Sequence, residues 1–316
     1  MTFILVDKIT HYEPGKTIEG IKHISITEPY LGASHYDKHP VYISALVGES
    51  IGQLAAWNVM DALSFNKRPV AGLADEVNIF DEVRVGETLR MKANIIQLDD
   101  EAVEYHGEAF VGSNKIVELR HAIGPMMPME QMNDRAEVLR QFDQLMQDID
   151  SFSLAEQAAS STSVLYPQIG NSISTNQYCC FDRIAQLEQS DVCVAEKLVS
   201  RSAPYFADHF PHKPVLPLTI LLACKIEFAQ LYLQKFYPKI RFQLKQLRKV
   251  KMSSFVEPGM KVVTKMTAKQ KQEDTLKFQF KSFVGQTRVC MCEFIFERAS
   301  VPRKIRPISN IEPEMA

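Results

Sequence analysis

Asp208-His209-Phe210-Pro211-His212-Lys213-Pro214-Val215-Leu216-Pro217 sets a histidine on a proline-stiffened loop directly before an apolar helix. A second loop of the same kind lies near the N-terminus, at His35-Tyr36-Asp37-Lys38-His39-Pro40-Val41-Tyr42. The helices after the two loops differ. Glu49 stands 14 positions after His35, whereas the residue 14 positions after His209 is Ala223. One helix carries a carboxylate at the matching place and the other does not.

Working outward from these loops, the chain repeats itself in order. Val6-Asp7-Lys8-Ile9 matches Phe181-Asp182-Arg183-Ile184, and Pro29-Tyr30 matches Pro204-Tyr205. Val85-Gly86 matches Pro258-Gly259, and Phe110-Val111-Gly112 matches Phe283-Val284-Gly285. The offset drifts only from 175 to 173, which points to duplication of a unit of roughly 130 residues. In each unit a short strand (18–26; 192–199) precedes the histidine loop, and a long apolar helix comes after it (41 to about 65; 216 to about 236). Both helices are apolar around most of their circumference, as helices buried on several sides are. Alternating segments at 88–98, 103–110, 261–267 and 276–283 read as antiparallel strands. The pattern is α+β, a buried helix wrapped by an antiparallel sheet. It divides the chain into a first unit (1–126), a helical connector and linker (127–174), a second unit (175–300) and a flexible tail (301–316). Within the connector, 133–146 has the spacing of an amphipathic helix.

Composition narrows the class. With 46% hydrophobic and 23% charged residues the chain is globular, and its longest apolar runs are too short to span a bilayer. No export signal is visible, so a cytoplasmic location is expected. Six cysteines fall in the second half without a Cys-x-x-Cys pair, and no histidine cluster has zinc spacing. Reduced thiols and no metal are expected. The net charge of −2 hides a split: residues 1–169 hold 13 basic against 25 acidic residues, and 170–316 hold 23 against 13. The basic half could attract the acidic half or an acidic partner. Nucleic acid is disfavoured, because aromatic interleaving is slight and no recognition motif is present.

Phe3-Ile4-Leu5-Val6-Asp7-Lys8-Ile9 with Tyr12-Glu13-Pro14-Gly15-Lys16 resembles the opening of bacterial 3-hydroxyacyl-acyl-carrier-protein dehydratases. His209 to Pro217 resembles that family's histidine loop, and Glu49-Ser50-Ile51-Gly52-Gln53 its helix motif. The resemblance covers both halves and implies a tandem, or double, hotdog fold paired as a pseudo-dimer within one chain. It also implies that each site takes its histidine from one hotdog and its acid from the other. Carried over, one site pairs His209 with Glu49, and a degenerate second site pairs His35 with Ala223. Glu227, one turn beyond Ala223, is an alternative acid for that second site.

The implied chemistry suits these residue types. A neutral imidazole at His209 can take an α-proton near pH 7. Glu49, among apolar neighbours, would be the acid for the departing hydroxyl, burial favouring its protonated form. Backbone N–H groups near Leu218 would meet the thioester oxygen, with Phe210, Pro217 and Gln53 close to substrate. Gln53 could equally be helix filler. Two residues depart from the family pattern: Asp208 replaces the glycine before the histidine, and Leu218 the glycine after the last proline. Asp208 could raise the pKa of the base or contact substrate.

The expected reaction is dehydration of carrier-bound 3-hydroxyacyl thioesters to trans-2-enoyl thioesters, in fatty-acid, polyketide or polyunsaturated-lipid synthesis. The expected partner is acyl carrier protein, and further homo-oligomerisation is open. No cofactor is expected beyond the phosphopantetheine arm that arrives with the substrate. Alternatives are another enzyme on this fold (isomerase, acyltransferase or decarboxylase) or a non-catalytic acyl-binding module.

Overall fold

The computed structural model describes residues 3–34, 40–147, 178–189, 192–272 and 274–299. The expected linker over 151–176, His35 with residues 36–39, and the tail 301–316 lie outside them. The first half contains β1 (Lys8–Glu13), β2 (Thr17–His23), β3 (Leu31–Ala33), β4 (Pro40–Tyr42) and α1 (Ser44–Ala62). Next come β5 (Lys67–Pro69), β6 (Leu73–Ile79), β7 (Val83–Arg84), β8 (Thr88–Leu98), β9 (Ala102–Val111) and β10 (Asn114–Pro128). The connector supplies α2 (Met129–Met132) and α3 (Arg135–Met146). The second half has β11 (Arg183–Gln186), β12 (Cys193–Leu198) and a 3-10 turn (Pro204–Ala207) before α4 (Leu218–Phe236). It ends with β13 (Phe242–Met252), β14 (Lys261–Gln272), β15 (Thr275–Val284) and β16 (Thr287–Arg298).

The main sheet runs β1-β2-β8-β9-β10-β6-β13-β16-β15-β14-β12-β11. That order is a palindrome: β6 answers β13, β10 answers β16, and so on to the edges. Two hotdogs are joined edge to edge, with β6 and β13 antiparallel at the seam. Arg248 faces Glu76 there, and Gln246 Nε2 donates to Asn78 Oδ1 at 2.7 Å. The repeat is equally plain in hydrogen bonds. Asp7 Oδ2 accepts from His23 N and Asp182 Oδ2 from Leu198 N, both at 2.6 Å. Gly86 N donates to Ile24 O and Gly259 N to Val199 O, both at 2.7 Å. Gly86 and Gly259 sit at φ 90° and 93°, which a side chain disfavours.

The helices begin two or three residues later than the apolar pattern suggests, because Ile43 and Pro217 are their extended N-caps. In each, apolar residues are buried on several sides, as the sequence implied. The halves differ around their histidine loops. In the first half β3, β4 and β7 pair into a small separate sheet, whereas the second half has the 3-10 turn leading into His209.

α1 lies close on its sheet because β9 offers no side chain at Gly107. A Cβ there would stand 2.1 Å from Ile51 Cγ2, with Ile51 wholly buried two residues from Glu49. Gly107→Ala therefore forces α1 outward or strains Ile51, and is expected to cost about 1–3 kcal/mol. The denaturation midpoint should fall at constant m-value. An unchanged midpoint would contradict the close packing of α1 on β9.

Candidate active site

α1 and the loop before α4 meet at a cavity of about 430 Å³ between the two halves. Glu49 and Gln53 enter from α1, His209 and Phe210 from the loop, and Leu218 and Thr219 from the first turn of α4. Gly48 and Gly52 flank Glu49 on the cavity side and keep the helix surface low.

His209 is held in one tautomer. Its Nδ1 lies 3.0 Å from Val215 O, and a carbonyl only accepts, so Nδ1 carries the proton and Nε2 the free lone pair. Phe210 stacks on the ring at 4.2 Å between centroids, and Phe3 meets it edge-on at 5.6 Å. The His209–Phe210 peptide is cis. Burial pushes the His209 pKa below its ordinary 6.5; Glu49 opposes that shift and Arg68 adds to it. The imidazole is thus the neutral, basic form at neutral pH. Because a lowered pKa keeps the ring unprotonated further into acid, the acid limb of kcat/KM should lie below pH 6.5. A pH–rate profile with its acid limb at or above 6.5 would contradict this assignment.

Glu49 is gripped from both halves. Thr219 Oγ1 donates to Oε2 at 2.9 Å across the interface, and Gln53 Nε2 donates to Oε1 at 3.2 Å along the helix. Gln53 also accepts from Leu5 N at 2.9 Å and donates to Phe3 O at 3.1 Å. It is more than helix filler: it ties the N-terminal segment to the carboxylate. Asp208 has a partner that adjacency did not suggest. Its Oδ2 accepts from Phe3 N at 2.7 Å, so the carboxylate latches that same segment, and the residue also lines the cavity.

Pro217 is the N-cap of α4, its carbonyl taken by Leu221 N at 3.3 Å, and it does not line the cavity as expected. Its ring sets the helix start and leaves the lining to Leu218. Helix geometry leaves the first N–H groups of α4 without intrahelical partners, and the N-cap residue, Pro217, has no side-chain acceptor for them. Leu218 and Thr219 of this first turn line the cavity.

Sequence reasoning missed three neighbours. Thr219 stands 170 residues from Glu49, so no local spacing could reveal their contact. Tyr105 lines the cavity from β9, and burial pushes its phenol pKa up, so it remains protonated. Arg68 on β5 places its guanidinium over Phe210 at 4.5 Å and donates from Nη1 to Asn133 Oδ1 at 3.0 Å. Its Nε is buried and has no hydrogen-bond partner among the described residues. Burial lowers the Arg68 pKa to about 10, with Glu49 opposing, and the group stays cationic at neutral pH.

A second cavity of about 310 Å³ occupies the pseudo-symmetric position. Ala223 and Glu227 line it from α4, and Ser44 and Val47 from α1. Ala223 brings no ionisable group, and burial raises the pKa of Glu227.

Comparison with known proteins adds to this geometry. The FabA-like domain model matches residues 1–120, and the ApeI-like dehydratase model matches residues 185–292. The chain is similar to the 3-hydroxyacyl-acyl-carrier-protein dehydratase FabZ of Clostridioides difficile, 33% identical over 116 residues. That match takes in 36% of this chain and 80% of the relative. FabZ of Desulforamulus reducens is 31% identical over 126 residues, 39% of this chain and 87% of the relative. Among solved structures, a putative oleoyl thioesterase from Lactobacillus plantarum superposes with TM-score 0.54 at 11% identity, covering 90% of this chain and 97% of that one. The dehydratase domain of PpsC from Mycobacterium tuberculosis, in complex with C12:1-CoA, gives 0.51 at 11% identity, covering 95% and 100%. At such identities the superpositions speak for the double-hotdog fold alone.

Proposed function

The chain belongs to the 3-hydroxyacyl-acyl-carrier-protein dehydratase family, and from that premise we propose that it removes water from 3-hydroxyacyl thioesters at one cavity shared by its halves. The observation that carries this reading is the pairing of His209, basic at Nε2, with Glu49 from the opposite half.

In this reading the thioester oxygen lies against the first N–H groups of α4, which stabilise the charge that develops on it. His209 Nε2 takes the proton from C2. The C3–O bond breaks, and the hydroxyl leaves as water with a proton from the Glu49 carboxyl, giving the trans-2-enoyl thioester. Return of the proton from the imidazolium to the Glu49 carboxylate resets the pair. Thr219 and Gln53 hold the carboxyl in place through the cycle. Arg68 offers its buried Nε to a polar atom of the substrate or its carrier arm. The elimination needs no cofactor of its own.

The substrate would arrive on the phosphopantetheine arm of an acyl carrier protein. Exposed Arg248, Lys249 and Lys251 on β13 suit an acidic carrier. A cytoplasmic location fits this partner. Among the described residues no helix is long and apolar enough to cross a membrane.

The test supplies purified protein with 3-hydroxyacyl-carrier thioesters of several chain lengths. Enoyl thioester absorbance and free thiol release are monitored together. Enoyl formation without thiol release supports the reading. Thiol release as the main product would replace it with thioester hydrolysis, and binding without turnover would leave an acyl-binding module.

A further inference from the structure

The outer face of the first half's sheet gathers three metal-ligating side chains that the cavity chemistry does not use. On β9, Tyr105 and Gly107 face α1 and the cavity, so alternation turns Glu104 and His106 to the opposite face. On the neighbouring β10 the register slips: Leu119 pairs with Gly107 and Ala122 with Tyr105. Arg120 and His121 together therefore stand opposite His106, a bulge that re-aims the His121 side chain. His121 takes a left-handed backbone at φ 49° to do so.

The result is a compact cluster. The His106 and His121 rings lie 4.6 Å apart, edge to face, and His121 Nδ1 is 2.8 Å from Glu104 Oε1. One ligand atom from each of Glu104, His106 and His121 falls within 4.8 Å of the others. His106 Nε2 is shielded from solvent yet has no hydrogen-bond partner among the described residues, an arrangement that folded proteins rarely leave unsatisfied. The His121 side chain is 58% exposed and that of Glu104 29%, so an ion can reach the cluster. The duplication supplies a control. In the second half an offset of 173 puts Lys277 and Gln279 at the places of Glu104 and His106, and Lys277 pairs with Glu293 instead. The fold itself does not require the cluster.

We infer that Glu104, His106 and His121 form a site for a zinc-type divalent cation on the outer sheet face, separate from the catalytic cavity. Two imidazoles and one carboxylate suit Zn²⁺ or Co²⁺, with water completing a tetrahedron. Local sequence spacing gave no sign of it, since its ligands sit on two strands and meet only through the bulge.

The experiment titrates the full, reduced chain with zinc chloride by calorimetry and with cobalt chloride by visible spectroscopy. One ion per chain is expected, with a cobalt spectrum lacking thiolate charge transfer. His106→Gln should weaken binding by more than the roughly 10–100-fold typical of outer-shell changes. His121→Asn should do the same, and asparagine tolerates the left-handed backbone there if His106→Gln fails to fold. Absence of binding, a thiolate band, or unchanged affinity in folded His121→Asn would each overturn the inference.

Discussion

His209→Ala is expected to lower kcat/KM for dehydration by about 10²–10⁴-fold, the usual worth of a positioned general base. The reason lies in the tautomer. Val215 O holds the Nδ1 proton, so Nε2 alone offers a lone pair to the cavity, and alanine removes it. The ring is also packed between Phe3 and Phe210, so the variant's denaturation midpoint must be measured beside its rate. A large rate loss in a folded variant identifies chemistry; a loss that tracks unfolding does not. His35→Ala supplies the comparison, because the helix after that loop offers its glutamate to the other site. If His35→Ala were as damaging as His209→Ala, the single shared site would have to be abandoned.

Glu49→Gln should be nearly as severe, by the same order of magnitude, and should act on kcat more than on KM. Glutamine fills the same volume and its carbonyl can still accept from Thr219, so the position is kept while the transferable proton is lost. Its amide would also confront the donating Nε2 of Gln53, which now binds Glu49 Oε1 at 3.2 Å. Glu227→Gln, in the second cavity, is expected to leave turnover unchanged. Equal losses in both variants would mean that the second cavity also works.

The two results bear on how far each half's identity could be read from residues alone. The duplication was legible because glycine turns and the Asp7 and Asp182 positions recur at a nearly fixed offset. The structure shows why: paired hydrogen bonds at those positions shape the same turn twice. Strands at 88–98 and 103–110 were legible from alternation, since one face of each packs on α1. The helix starts were not, because apolar residues continue back through the extended N-caps.

Asp208 shows the limit for single residues. Adjacency to His209 suggested an electrostatic role and gave no sign that the carboxylate accepts from Phe3 N. Adjacency in sequence does not fix which way neighbouring side chains on a loop point.

Periodicity, the recurring turns and the spacing of Glu49 and Ala223 from their loops settled the two units and marked His209 and Glu49 as the residues to watch. Those are properties of residue spacing, within one strand or helix and between the two copies of the unit. Tertiary structure alone decided that β6 and β13 join the units into one sheet, that Thr219 grips Glu49, that Arg68 enters the cavity, and that His106 meets His121 across a bulge. Each of these depends on strand register, on side-chain direction or on contact between distant segments, which residue spacing along the chain does not encode.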